Sequence, residues 1–154
     1  MPHPVAADRA PLALESFLPY RLSILTNTIS QLIAEDYQRP HDLSVTEWRV
    51  IAVLARHDGE GLSATDVALR TAMDKVAVSR ALARLVAAGR VRRSTHDGDR
   101  RRSVLDLTAA GWEVHDAIAP LARQRERELL ARLDAEERQW LDRILAKLLE
   151  GSAS

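Results

Sequence analysis

The sequence predicts a mainly α-helical protein with one small β-hairpin. Apolar residues recur at three- and four-residue steps over most of the chain, which is typical of amphipathic helices. Several of these stretches are preceded by Ser, Thr or Asp, the residues that favour helix N-termini. One Asp-Gly pair separates two short β-like segments, as in a hairpin. The most frequent residues are Ala, Leu and Arg, which lose little conformational freedom in a helix.

Composition excludes several classes of protein. The chain has 154 residues and no cysteine, so disulfides and thiolate metal sites are ruled out. Its N-terminus has no apolar run of the kind found in signal peptides. No apolar stretch approaches the roughly 18 residues of a membrane span. We therefore expect a soluble, cytoplasmic protein.

The N-terminal third is predicted to contain an arm and a long helix. Residues 1–13 hold three prolines without periodicity and are expected to form a flexible arm. Residues 14–37 place an apolar residue on one face at each helical turn, which predicts a single helix of about six turns. Pro19 is a candidate interruption near its start, and Pro40 is expected to end it.

The middle of the chain predicts three helices in close succession. Ser44 and Glu47 have capping-box spacing, and the following helix is expected to run to Arg56. Ser63 and Asp66 open a short helix through Leu69. A further helix is expected from Asp74 to Gly89, with Val78, Leu82, Leu85 and Val86 as its buried stripe. Two short helices joined by a tight turn predict a helix-turn-helix.

The hairpin and two more helices complete the chain. Residues 90–95 and 100–107 are predicted to pair around the Asp97-Gly98 turn. Thr108 is expected to cap a long helix extending to Leu133, with Pro120 kinking or restarting it. Residues 134–137 then open a final amphipathic helix.

Charge is concentrated in the helix-turn-helix and the hairpin. Residues 70–102 contain ten basic and three acidic residues, a net charge of +7, whereas the whole chain is neutral. A basic surface on a neutral molecule is typical of a protein that binds a polyanion. The segment therefore favours nucleic-acid binding, although such charge also occurs on ordinary solvated surfaces.

The second helix of a helix-turn-helix lies in the major groove of DNA. The candidates for DNA contact on this helix are the residues off the buried stripe: Lys75, Ala77, Ser79, Arg80 and Arg84. We expect Ser79 and Arg80 to contact bases or phosphates and Arg84 to reach the backbone. The hairpin adds Arg100, Arg101 and Arg102, whose mutual repulsion an external anion would relieve, and Asp99, which can orient a neighbouring guanidinium.

These residues resemble a known family. Asp99-Arg100-Arg101, followed by Leu107-Thr108 and Gly111, is similar to the wing of the multiple antibiotic resistance regulator (MarR) family, and residues 73–82 resemble its recognition helix. The resemblance implies a winged helix-turn-helix dimer on a pseudo-palindromic operator, Arg101 in the minor groove and Asp99 orienting it. Arg90 departs from the family, which usually has an apolar residue there.

The predicted domain organisation follows from helices whose apolar faces the central lobe is too small to bury. Residues 44–107 are expected to form the DNA-binding lobe, which is too small to bury the helices of residues 14–40 and 108–150. Packing these helices against a second copy would form a homodimer; the alternative is a monomer in which they fold back. A second functional hypothesis is a winged-helix module that binds protein without operator DNA.

Family resemblance also implies a small-molecule effector, often an aromatic or phenolic anion. The pocket candidates are Trp48, Arg49, His57, Trp112 and His115, each of which also fits a core or interface position. The His-Asp pairs lack the spacing of a metal site, and no catalytic motif is found. We therefore expect no metal, no cofactor and no enzymatic activity.

Overall fold

The computed structural model describes the backbone of residues 10–96 and 99–152, and the side chains of residues 10–95 and 103–152. The described elements, in chain order, are a 3-10 turn at Leu14–Ser16, α1 at Leu18–Ala34, α2 at Gln38–His41, α3 at Val45–Arg56, α4 at Ala64–Thr71, α5 at Lys75–Ala87, β1 at Val91–His96, β2 at Asp99–Leu107, α6 at Ala109–Leu130 and α7 at Ala135–Ser152. This order confirms the predicted class, mainly α with one hairpin.

The structure corrects the bounds of two predicted helices, the one over residues 14–37 and the one from Thr108 to Leu133. α1 begins at Leu18 and not Leu14, because Pro19 has no N–H and is best accommodated in the first helical turn. Pro40 lies inside the four-residue α2, and Asp42, which follows this helix, is in the left-handed region with a φ of 48°. α6 runs through Pro120 without a restart and ends before Leu133. Pro120 is exposed, so the carbonyl it leaves without an intrahelical partner can bind water.

One hydrophobic core joins the three central helices to the hairpin. Its fully buried side chains include Val50 and Ile51 of α3, Leu82 and Leu85 of α5, and Ile118 of α6. β1 and β2 pair antiparallel with Val91 opposite Leu107, and these two residues and Leu105 face the core. The predicted buried stripe of α5 is corrected at one position, because Val86 is exposed and Ala81 is buried instead.

The terminal helices are mostly outside this core. Only Ala34 of α1 is buried, and no described residue of α7 is buried. Large apolar side chains on both helices are exposed in the single chain, among them Leu25 on α1 and Ile144 and Leu149 on α7. None of the helices among the described residues has the length and apolar character to cross a membrane.

Candidate nucleic-acid interface

The helix-turn-helix is built by side-chain caps at the start of each helix. Ser63 Oγ accepts from the Asp66 N–H at 3.2 Å, and the Asp66 carboxylate accepts from the Ser63 N–H at 2.8 Å. Asp74 Oδ2 accepts from the Ala77 N–H at 3.0 Å and so caps α5. Between the helices, Ala72 has a φ of 51°, a left-handed conformation that ends α4 and redirects the chain. These caps fix where α5 starts and how it leaves α4.

Four of the five predicted contact residues on α5 are exposed. Val78, Ala81, Leu82 and Leu85 are buried, which fixes the rotation of the helix about its axis. Lys75, Ser79, Arg80 and Arg84 are left in solvent, and Ala77 is half-buried. The lobe therefore presents three arginine or lysine side chains and a serine from one helix, an arrangement that can donate hydrogen bonds to phosphates and base edges.

Arg84 has an intramolecular partner that the sequence did not suggest. Its Nε lies 2.9 Å from Oε1 of Glu47, a carboxylate that is only 3% exposed, while the arginine is 65% exposed. Glu47 also accepts from the Ser44 N–H at 2.9 Å, completing the capping box of α3. The buried carboxylate thus anchors one side of the guanidinium and leaves the rest accessible to an anion.

The hairpin is fastened to the lobe at its base. Leu105 N–H donates to the Leu62 carbonyl at 2.9 Å, so the loop between α3 and α4 pairs with β2. Arg92 and Asp106 lie opposite each other in the ladder, with 3.9 Å between their charged groups. The predicted wing residues Asp99, Arg100, Arg101 and Arg102 are in β2, but their side chains lie outside the described residues, as does the Asp97-Gly98 turn. Their roles stay predictions.

Arg90 and Gly111 join the hairpin base to neighbouring helices. The Arg90 guanidinium donates to the His41 carbonyl at 2.6 Å, so this arginine links the hairpin to the end of α2. The Arg90 carbonyl accepts from the Thr108 N–H at 3.1 Å. Gly111 lies so close to that carbonyl that a Cβ would overlap it. Arg90 thus serves a structural contact where the resembled family usually has an apolar side chain.

Three of the five effector candidates form one aromatic cluster. Trp48 of α3 stacks on His115 of α6 with ring centroids 6.0 Å apart, and Trp112 approaches the same histidine edge-on at 5.4 Å. Arg49 donates to Ser30 Oγ at 3.0 Å, on the α1 side of α3. His57 instead lies at the end of α3 and contacts Glu60 at 2.9 Å.

Tyr37, which the sequence analysis did not select, extends this cluster. Its ring centroid is 5.9 Å from that of Trp48, and its side chain is fully buried. Burial raises the pKa of Tyr37 to about 12, against a smaller opposing effect of Arg49. The signal available in the sequence was weak, because Tyr37 follows the last apolar position of the predicted helix and precedes a polar turn.

Val76 is a second residue that sequence reasoning passed over. It is the second residue of α5 and is 56% exposed, although it is apolar and adjacent to the predicted contact residue Lys75. The rotation of α5 set by its buried residues would have placed Val76 on the outer face. Within residues 10–96 and 99–152, no group of three or more metal-binding side chains occurs.

Comparison with known proteins places this fold in a family. The sequence profile of the MarR family matches residues 41–102. The transcriptional regulator HosA of Escherichia coli O127:H6 is 31% identical over 109 residues, which cover 70% of this chain and 78% of HosA. The HTH-type transcriptional repressor NicR of Pseudomonas putida is 28% identical over 134 residues, covering 82% of this chain and 85% of NicR. Both relatives are named as regulators of transcription.

A solved structure supports the same assignment. The MarR-family transcriptional regulator of Silicibacter pomeroyi superposes with a TM-score of 0.76 and 28% identity, covering 94% of this chain and 96% of that one. Similarity in sequence and fold extends over both the lobe and the terminal helices. The chain belongs to the MarR family of transcriptional regulators.

Proposed function

We propose that the protein is a homodimeric regulator that binds a pseudo-palindromic operator in double-stranded DNA, with α5 in the major groove and the hairpin in the minor groove. The observation that carries this proposal is the exposed surface of α5, where Lys75, Arg80 and Arg84 lie outside the buried stripe. A helix with such a surface suits the width of the major groove.

On α5, Arg80 and Ser79 are the proposed base- or phosphate-contacting residues. They lie in the second turn, within the N-terminal half that a recognition helix inserts most deeply. An arginine can donate two hydrogen bonds to O6 and N7 of guanine, and a serine can serve several base edges. Arg84 lies a further turn along and is proposed to reach a phosphate.

The hairpin is proposed to act as the wing. Arg101 would enter the minor groove, where a narrow groove concentrates negative potential. Asp99 would hold that guanidinium in position, and Arg100 and Arg102 would contact neighbouring phosphates. This part of the proposal is supported by the run of three arginines at the end of a hairpin that is firmly fastened to the lobe through Leu105.

A dimer would bring two such lobes onto one duplex. The exposed apolar residues of α1 and α7 are the proposed interface, which includes a groove of about 600 Å³ along α1. A second copy is the natural occupant, since an isologous interface pairs the same apolar surfaces of both chains. Two recognition helices related by a twofold axis would meet half-sites about one helical turn apart.

Release of DNA is proposed to be controlled by a small aromatic anion. The cluster of Trp48, Trp112 and His115 offers stacking surfaces at the contact between α3 and α6, and Arg49 offers a positive charge on the same helix. Because α3 also carries Glu47, which holds Arg84, a ligand that shifts α3 would move the recognition helix. NicR is named as a repressor, and we propose the same direction of regulation here.

Selection of bound duplexes from a random pool is the experiment that tests the proposal. We expect an enriched sequence with two inverted half-sites and an affinity that falls linearly with the logarithm of salt concentration. The alternative, a module that binds protein, would be supported if no sequence is enriched and the residual binding to DNA does not change with salt concentration.

The wing assignment predicts that Arg101→Ala lowers operator affinity by about tenfold or more while leaving the dimer intact. Loss of one charged contact to DNA also reduces the slope of log affinity against log salt concentration by about one. Gel-shift titration at several salt concentrations measures both quantities. Arg56→Ala, at the exposed end of α3, is the control, and unchanged affinity in Arg101→Ala would refute the assignment.

Arg84 is predicted to contribute equally to the affinity for all DNA sequences. Arg84→Ala should weaken specific and nonspecific binding by similar factors, because a phosphate contact carries no base information. It should also lower the stability of the fold, since the buried Glu47 carboxylate loses its partner. Repeating the pool selection with this variant at a temperature where it is folded separates the effects. A changed base preference at one position would contradict the prediction.

A further inference from the structure

Val76 is an exposed apolar side chain at the centre of the α5 surface that faces away from the core. It is 56% exposed, whereas valines in helices of soluble proteins usually lie in the buried stripe. At 3.6 residues per turn, Val76 lies roughly half a turn around the helix from the buried Val78, Ala81 and Leu85. Half a turn is the greatest angular separation possible, so Val76 points directly away from the core.

The residues that share this face are small or basic. Ser79 and Arg80 follow one turn later and Ala83 two turns later, all of them exposed. Val76 and Ala83 are therefore the apolar residues of a strip along this face, in which Arg80 lies between them. The flanking charges are positive, with Lys75 before Val76 and Arg84 after Ala83, while the nearby Asp74 carboxylate is used to cap the helix.

The positive charges beside this strip indicate which kind of molecule contacts it. An apolar protein surface would leave Lys75 and Arg80 facing it without counter-charges, whereas DNA neutralises both. In the major groove the only apolar group on a base edge is the C5-methyl of thymine. A short branched side chain in the first turn of the recognition helix matches that group in size and polarity.

We infer that Val76 is a specificity-determining residue that packs against the C5-methyl group of a thymine in each half-site. The inference rests on the proposed operator binding by α5 and adds which base this helix recognises through Val76. Recognition of this thymine by Val76 comes from contact between apolar surfaces, independent of the hydrogen bonds that Ser79 and Arg80 make. Replacing the methyl with hydrogen removes the contact without altering base pairing.

Replacing thymine with deoxyuridine tests this directly on the native protein. A duplex that the protein selects from the random pool is synthesised with each thymine in turn changed to uracil. We expect one position per half-site where the change weakens binding by about fourfold, the value for one buried methyl-sized group. Changing both half-sites together should weaken binding by about the square of that factor.

The variant Val76→Ala identifies the residue that reads the methyl. In Val76→Ala, the same uracil duplex should bind as well as its thymine counterpart, because the contact is already absent. Val86→Ala is the matched control: it makes the same change at an exposed valine of α5, about 15 Å further along the helix axis, and should keep the full uracil effect. Circular dichroism checks that both variants are folded.

The outcomes separate this inference from the proposed function. If the native protein selects an operator but no uracil substitution affects it, or if the effect persists in Val76→Ala, the inference is wrong and operator binding stands. If the native protein binds no duplex at any salt concentration, the proposed function fails and the inference fails with it.

Discussion

At the scale of single residues, the tightest constraint in the described structure is steric. Gly111, in the first turn of α6, lies against the carbonyl of Arg90, which also accepts from the Thr108 N–H. Thr108 Oγ donates to the Gly89 carbonyl at 2.6 Å and accepts from the Gly111 N–H at 3.1 Å. Packing therefore explains the Thr108 and Gly111 positions that contributed to the family resemblance. Only glycine lets α6 start this close to the hairpin base.

Gly111→Ala is predicted to destabilise the fold by about 2 kcal/mol or more, because the added Cβ would overlap a backbone atom that cannot move as a side chain can. Chemical denaturation followed by circular dichroism measures the change in the free energy of unfolding. The matched control is Gly151→Ala in α7, where a Cβ meets no atom within 4 Å and helix propensity improves. Equal stabilities for the two variants would contradict this account.

At the scale of secondary-structure elements, one ion pair joins the end of α1 to α6. Arg125 Nε and a terminal guanidinium nitrogen donate to the two oxygens of Asp36 at 2.8 and 2.9 Å. This bidentate hydrogen bond lowers the pKa of Asp36 below its usual value and raises that of Arg125. Both side chains are partly exposed, so screening by solvent keeps the contribution of the pair to stability small.

The lowered pKa of Asp36 predicts a pH-dependent contribution to stability. Because the folded state binds this proton less readily than the unfolded state, the contribution is complete above the ordinary aspartate range and is lost as pH falls through the lowered value. Asp36→Asn should therefore be less stable than the native protein at pH 7, and the difference should shrink as the pH falls below the ordinary aspartate range.

Thermal unfolding of both proteins across that pH range measures the difference. Asp58→Asn, which changes an exposed aspartate in the turn after α3, is the control for removing a carboxylate outside the ion pair. A deficit in Asp36→Asn that stays constant down to the lowest pH would show that the ion pair is not its cause.

At the scale of the whole molecule, the distribution of apolar surface is uneven between the lobe and the terminal helices. α7 contains Trp140, Ile144, Leu145, Leu148 and Leu149, all exposed in the single chain. An eighteen-residue helix with no buried residue gains little stability from its own chain, since helices in water depend on packing of their apolar face. The homodimer is our proposal for what packs against it.

Ile144→Glu combined with Leu148→Glu is predicted to convert the proposed dimer to monomers and to weaken the proposed operator binding by about tenfold or more, because charged side chains would be buried against apolar ones. Sedimentation equilibrium measures the oligomeric state and gel shift the affinity. Lys147→Glu, an exposed residue on the same helix, is the control for added negative charge. A double variant that stays dimeric would place the interface elsewhere.

Local signals in the sequence were sufficient for most elements of the fold. Ser44, Ser63, Asp74 and Thr108 cap helices as expected, because a cap depends on hydrogen bonds within about three residues. The alternation of Leu105 and Leu107 around Asp106 likewise predicted the buried face of the hairpin. The exposed basic residues of α5 followed from the same periodicity.

Only the tertiary structure decided the partners that come from distant parts of the chain. The contacts of Glu47 with Arg84, His41 with Arg90, and Asp36 with Arg125 join residues 37 to 89 positions apart. No local pattern encodes such pairs, because they depend on how the elements pack and not on the spacing within one element. Short-range hydrogen bonding and periodicity thus specify the elements, and packing of the common core selects which side chains meet.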